Sequence, residues 1–205
     1  MNQKKHFSML RSYALADLLT LSNAACGTVS IFLCLNYLDT KNDDFFWMAF
    51  VLLPIALIFD AFDGWVARKR QKWSSLGADL DSLADVVSFG VAPAVLAFTL
   101  GLRGGWDIAI LAYFVCCGIS RLARYNVTAA DMADESGKVK YYEGTPIPTS
   151  LLLVAVLGVA FWTGNTHANL WGGSYVMLGA GFHPLSLMYF VSGSAMISML
   201  KVPKP

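Results

Sequence analysis

Six apolar runs of membrane-crossing length alternate along this chain with short polar stretches. They cover about 17–38, 46–67, 79–100, 106–125, 147–163 and 176–200. A hydrocarbon core about 30 Å thick calls for about 20 largely apolar residues per helical span. The pattern therefore predicts an all-α polytopic membrane protein with six transmembrane helices. The fifth run is short, and the sixth is interrupted by His183–Pro184. Ahead of the first, residues 1–16 mix Lys4, Lys5 and Arg11 with Phe7, Met9, Leu10 and Tyr13, which suits a short helix lying in the interface. The apolar run continues past Ala24–Ala25–Cys26, which favours a retained first span over a cleaved leader. Residues 1–205 read as a single domain.

Composition agrees with this reading. Of 205 residues, 56% are hydrophobic and 14% charged, against about 25% charged in a soluble domain. A net charge of +1 excludes a generally basic nucleic-acid binder. Cys26, Cys34, Cys116 and Cys117 have no metal or redox spacing and read as small apolar residues within helices. Trp47, Trp65, Trp73, Trp106, Trp162 and Trp171 fall near span ends, as an interfacial aromatic belt requires. His167 and His183 lie far from the acidic residues described next and read as structural or interfacial.

Charge sets the orientation. The N-terminus, the second loop, the fourth loop with its helix end, and the C-terminus carry 13 of the 15 basic residues; Lys41 and Arg103 are the exceptions. The positive-inside rule then places both termini in the cytosol, as an even number of spans demands.

The acids follow a different pattern. Asp60, Asp63, Asp79, Asp81 and Asp85 crowd onto the second and third spans. Asp79, close to a helix end, reads as interfacial. Counting at about 1.5 Å per residue, Asp60 and Asp85 both sit roughly 21–22 Å from the outer span ends, in the cytosolic third of the core. Asp60, Asp63, Gly64, Ala67 and Arg68 share one helical face, and Gly77, Asp81 and Asp85 share another. Face to face, the two helices converge four carboxylates on one pocket. Ionised acids at membrane depth cost about 2.5–3.5 kcal/mol each on insertion scales. Divalent cations such as Mg²⁺ or Mn²⁺, two of them, would balance the charge. Paired metals suit phosphoryl transfer, clamping a diphosphate during displacement. Gly64 and Ala67 lack bulk, so a ligand can approach the backbone, and Arg68 can hold a diphosphate with its fork of donors. Residue chemistry alone leaves an ion-coupled transporter open, although no internal repeat supports one. Asn23 in the first span is a buried polar group placed either to face a nucleotide or to bond between helices.

Written out, the acidic run is Asp60-x2-Asp63-Gly64-x2-Ala67-Arg68-x8-Gly77-x3-Asp81-x3-Asp85. It resembles the full signature of the CDP-alcohol phosphatidyltransferases. The resemblance implies a six-helix membrane fold, a homodimer, and a nucleotide pocket open to the cytosol. It implies metal binding by Asp60, Asp63 and Asp81, a general base at Asp85 that also touches metal, and a CDP site lined by Gly64, Ala67, Arg68 and Gly77. Asp81–Pro93, Ser120–Val127, Tyr142–Pro148 and Ile197–Pro205 are similar to the serine-accepting branch of the family. That branch implies CDP-diacylglycerol and L-serine as substrates, with inositol, glycerol phosphate or choline as the alternative acceptors. Free serine carries a carboxylate, and Arg121 and Arg124, at i and i+3 near the cytosolic end of the fourth span, are placed to meet it. The expected membrane is the endoplasmic reticulum for a eukaryotic source or the cytoplasmic membrane for a prokaryotic one.

Overall fold

The computed structural model describes residues 15–70, 75–128, 141–199 and 201–203. Helix α1 (Leu15–Thr40) turns tightly into α2 (Asp43–Arg70), and the two pack as an antiparallel pair. The third helical run comprises α3 (Ser75–Asp85), a π-helical turn (Val86–Val91) and α4 (Ala92–Leu100). Helix α5 (Gly105–Thr128) follows, then strand β1 (Tyr141–Glu143) and α6 (Ser150–Trp162), which extends a short 3-10 turn at Ile147–Thr149. Strands β2 (Tyr175–Met177) and β3 (Ala180–Phe182) form a hairpin. A 3-10 turn (Pro184–Ser186) leads into α7 (Leu187–Met196), and β4 (Lys201–Pro203) ends the described chain.

Among the described residues, four helices are long and apolar enough to cross a membrane: Ala16–Thr40, Asp43–Val66, Gly77–Leu100 and Gly105–Val127. These match the first four predicted spans. The third is central, with most of its apolar window buried inside the bundle, whereas the others leave most of theirs exposed. Leu18, Phe32, Leu35, Met48, Val51, Ile58 and Phe62 are among the exposed side chains. An apolar outer surface of this extent is what a lipid-facing protein presents.

The fifth run is the helical stretch Ile147–Trp162, shorter than the other four. The sixth departs from expectation. Residues 176–182, read as the start of a span, lie in the β2–β3 hairpin, and the helix begins only after His183. Leu178 (φ 53°) and Gly179 (φ 79°) form the two-residue turn, both in the left-handed region that such tight hairpins require. Trp106 Nε1 donates to the Met177 carbonyl at 2.9 Å, fixing the hairpin against the start of α5. Buried Asp107 then ties down the entry to α7: it accepts the backbone N–H of His183 at 2.9 Å and meets its Nδ1 at 2.6 Å. His183 is thus structural, as expected.

Helix α7 packs on α5, with Tyr189 Oη donating to the Pro93 carbonyl at 2.8 Å. Strands β1 and β4 pair antiparallel, with Tyr142 opposite Val202. Two of the stretches that resemble the serine-accepting branch therefore meet in one ladder. The small strands qualify the expected all-α class. Between the second and third predicted spans, α2 continues to Arg70 and α3 starts at Ser75, so both ends of the expected loop are helical. The proposed interfacial helix at 1–16 falls almost wholly outside the described residues.

Candidate active site

The acidic layer sits where α1, α2 and α3 converge. Among the described residues, carboxylate oxygens of Asp60, Asp63 and Asp81 all lie within 4.8 Å of one another. Helical spacing produces this cluster. Asp60 and Asp63, three apart on α2, share a face, and Asp81 comes from the facing turn of α3.

Asp85 stands outside this trio. One turn deeper along α3 and buried, it accepts a hydrogen bond at Oδ1 from Asn23 Nδ2 at 3.1 Å, while remaining within electrostatic reach of Asp60 and Asp81. The four expected carboxylates thus divide into a cluster of three and a neighbour held by an amide.

Helix α1 supplies supports that the acidic signature does not contain. Thr20 Oγ1 donates to Asp63 Oδ2 at 2.7 Å, and Asn23 follows three residues later, on the same face. Of the two readings open for Asn23, the structure shows bonding between helices. Its amide faces Asp85 through nitrogen. That leaves Asn23 Oδ1 buried and without a hydrogen-bond partner. The backbone carbonyl of Asn23 accepts from Ser88 Oγ at 2.8 Å. This contact needs the close approach that Gly27 allows, since a Cβ there would lie 2.5 Å from Ser88 Oγ.

The π turn begins immediately after Asp85. Pro93 cannot donate to the carbonyl four residues earlier, and its ring crowds that carbonyl. A widened turn ahead of it accommodates the proline. Asp85 and Ser88 both reach Asn23 from the start of this segment, so the irregular turn and the buried amide form one unit.

Gly64 and Gly77 are partly exposed on α2 and α3. Ala67 and Arg68 continue the α2 backbone, and their side chains lie outside the described residues. On α5, Arg121 is half-buried and Arg124 exposed. Asn126 joins α5 to α3 by donating to Ser82 Oγ at 3.0 Å and to Asp79 Oδ1 at 3.4 Å. Asp79, read as merely interfacial, takes part in this polar contact at the mouth of the site.

A divalent cation fits the donor set. Three carboxylates from two helices supply the hard oxygen ligands that such ions prefer. Asp81 Oδ1 is buried without a hydrogen-bond partner, an orphan that a bound cation would satisfy.

Comparison with known proteins accords with this site. Residues 13–189 match the model of the CDP-alcohol phosphatidyltransferase family. The chain is 42% identical over 210 residues to a CDP-diacylglycerol–serine O-phosphatidyltransferase of Saccharomyces cerevisiae, covering all of this chain and 75% of that protein. It is 38% identical over 158 residues to an archaetidylserine synthase of Methanothermobacter thermautotrophicus, covering 76% of this chain and 60% of that one. A CDP-diacylglycerol–serine O-phosphatidyltransferase of Helicobacter pylori is 37% identical over 174 residues, covering 82% of this chain and 68% of the relative. The chain belongs to the CDP-alcohol phosphatidyltransferase family. It is a membrane enzyme of that family, and its relatives include serine-accepting members from yeast, an archaeon and a bacterium.

Proposed function

We propose that this protein transfers the phosphatidyl group of CDP-diacylglycerol to L-serine, giving phosphatidylserine and CMP. The observation that carries the reading is the trio Asp60, Asp63 and Asp81 with Asp85 beside it, in a chain whose relatives bear that activity in their names. Asp60, Asp63 and Asp81 would hold divalent cations, Mg²⁺ or Mn²⁺ and two in number, with Asp85 at their edge. Bound there, such cations would neutralise the diphosphate and stabilise charge on the departing CMP.

The chain's own residues do the rest. Gly64, Ala67 and Gly77 leave room for the nucleotide, and Arg68 holds the diphosphate. Asp85 orients the serine hydroxyl and takes its proton as the serine oxygen bonds to the phosphorus that carries diacylglycerol. The bond from that phosphorus to the bridging oxygen breaks, and CMP leaves with the electron pair. The Asn23 amide on Asp85 Oδ1 leaves Oδ2 for the hydroxyl. Arg121 and Arg124 receive the serine carboxylate. The test is an acceptor panel with purified protein in detergent, supplied with CDP-diacylglycerol and Mn²⁺. Serine supports turnover under this reading; turnover with inositol or glycerol 3-phosphate, and none with serine, would overturn it. Ion flux in liposomes without any alcohol transfer would favour a transporter.

The same proposal includes six spans, with α6 and α7 as short fifth and sixth members, both termini cytosolic, and a homodimer. The 13-to-2 split of basic residues supports the orientation. Single cysteines in a Cys-free background are expected to label from the cytosol near Lys72 and Lys138 and from the opposite face near Asp43 and Gly104. Labelling near Lys72 from the non-cytosolic face would reverse the orientation. Cross-linking in the membrane tests the dimer, and recovery of monomer alone would remove it.

A further inference from the structure

The two basic residues that break the charge rule, Lys41 and Arg103, come together at the end of the bundle opposite the acids. Lys41 Nζ stands 5.8 Å from the ring centroid of Tyr37. Arg103 caps the end of α4, its Nε donating to the Phe98 carbonyl at 3.1 Å. His167 lies within electrostatic reach of both, and Arg103 is also within reach of Tyr37. Lys41 and Arg103 therefore flank one tyrosine, with His167 near both cations.

The backbone at this cluster is unusual. Lys41 follows the last turn of α1 with φ 57°, donating its N–H to the Tyr37 carbonyl at 2.9 Å. Glycine is the common residue at such a helix exit, because a side chain in the left-handed region is strained. His167 likewise has φ 50°, and its backbone rests on Gly101, where a Cβ would come within 2.7 Å. Among the described non-glycine residues only Leu178, in the hairpin turn, shares this conformation. Strain of this kind gathers where a side chain is held for a purpose.

Beside the cations opens a cavity of about 650 Å³, lined by Tyr37, Asp43, Trp47, Phe161, Trp162 and Thr166. Its walls are aromatic: Trp47 lies 5.2 Å from Phe161 and 6.4 Å from Trp162, between ring centroids. Asp43 is the acid among its lining residues. The place thus offers cations at the rim, and a carboxylate with aromatic faces within. Phosphate pairs with the first set. An ammonium group pairs with the second, through charge and through cation–π attraction.

We infer that this pocket binds the headgroup of an amine-bearing phospholipid from the leaflet opposite the active site, with its phosphate on Lys41, Arg103 and His167 and its ammonium on Asp43, Trp47 and Trp162. The occupant is a lipid because the pocket opens between the ends of α1, α2 and α6, and Met48, Val51, Val159 and Trp162 on those helices are exposed apolar side chains. The site stands about 24 Å from the acids, counting from Trp47 to Asp63 along α2, so it is separate from the transfer reaction.

The test uses purified, lipid-stripped protein in detergent, with CDP-diacylglycerol saturating the active site. Native mass spectrometry follows retention of added phosphatidylethanolamine or phosphatidylglycerol, and a thermal melt follows folding. Wild type is expected to retain phosphatidylethanolamine in preference. Lys41→Gly relieves the left-handed strain, so it melts at or above the wild-type temperature. It nevertheless retains phosphatidylethanolamine about tenfold less well, the size of one lost charge-assisted hydrogen bond. Asp43→Asn abolishes the preference between the two lipids. Equal retention of both lipids by wild type, wild-type retention patterns in both variants, or displacement of lipid by millimolar inorganic phosphate would each overturn the assignment.

Discussion

Replacing Asp85 with Asn is expected to cut turnover by about 10³-fold while CDP-diacylglycerol binding persists. General acid–base catalysis contributes 10²- to 10⁴-fold, and the amide cannot take the serine proton. Asn fits the cavity and can turn its carbonyl toward the Asn23 amide, so the helices keep their packing. The check is kcat beside equilibrium binding of a CDP-lipid. A companion change separates orientation from proton transfer. Asn23→Ala frees Asp85 from its 3.1 Å hydrogen bond without removing the carboxylate. It is expected to lower kcat about tenfold and to leave KM for the CDP-lipid nearly unchanged. Full activity in Asp85→Asn would remove the base from the scheme. Loss of CDP-lipid binding in that variant would move Asp85 into the cation-binding set.

Asp60→Asn and Asp81→Asn are expected to fail differently, losing cation and CDP-lipid binding together. Each removes one of three carboxylates whose oxygens lie within 4.8 Å of one another. Changes to groups that merely support a metal ligand cost 10- to 100-fold in affinity, so loss of a ligand should exceed about 100-fold. Mn²⁺ binding followed by electron paramagnetic resonance gives a readout independent of activity. Thr20→Val, which removes the 2.7 Å donor to Asp63, is expected to show a weaker form of the same loss. Unchanged Mn²⁺ binding in Asp81→Asn would contradict the proposed ligand set.

Much of this site was legible in the chain because helical geometry is regular. Spacings of three and four place acids on one face whatever surrounds them, and Asp60, Asp63 and Asp81 gather accordingly. The separation of Asp85 was not legible, because it depends on what the neighbouring helix offers. Asn23 captures that carboxylate, and a lone Asn in an apolar run does not announce its partner. Thr20 was invisible for the same reason. The π turn arises where Pro93 meets a tightly packed segment, and a proline alone signals a kink without specifying its form. Hydropathy misread residues 176–182, since an apolar hairpin packed against a helix bundle scores like a span. Leu178–Gly179 was the local clue, and Leu is not a residue that suggests a left-handed turn. The first four spans were recovered because length and apolarity suffice to mark them.

On the proposed mechanism, the acidic layer couples release of CMP to the arrival of serine. Purified protein in detergent should be given CDP-diacylglycerol, with CMP and phosphatidylserine measured together while serine and the divalent cation are withheld in turn. Equal amounts of the two products are expected when both are present, and neither product when serine is omitted or the cation is chelated. CMP release that proceeds without serine, leaving a lipid-labelled protein or free phosphatidate, would contradict it.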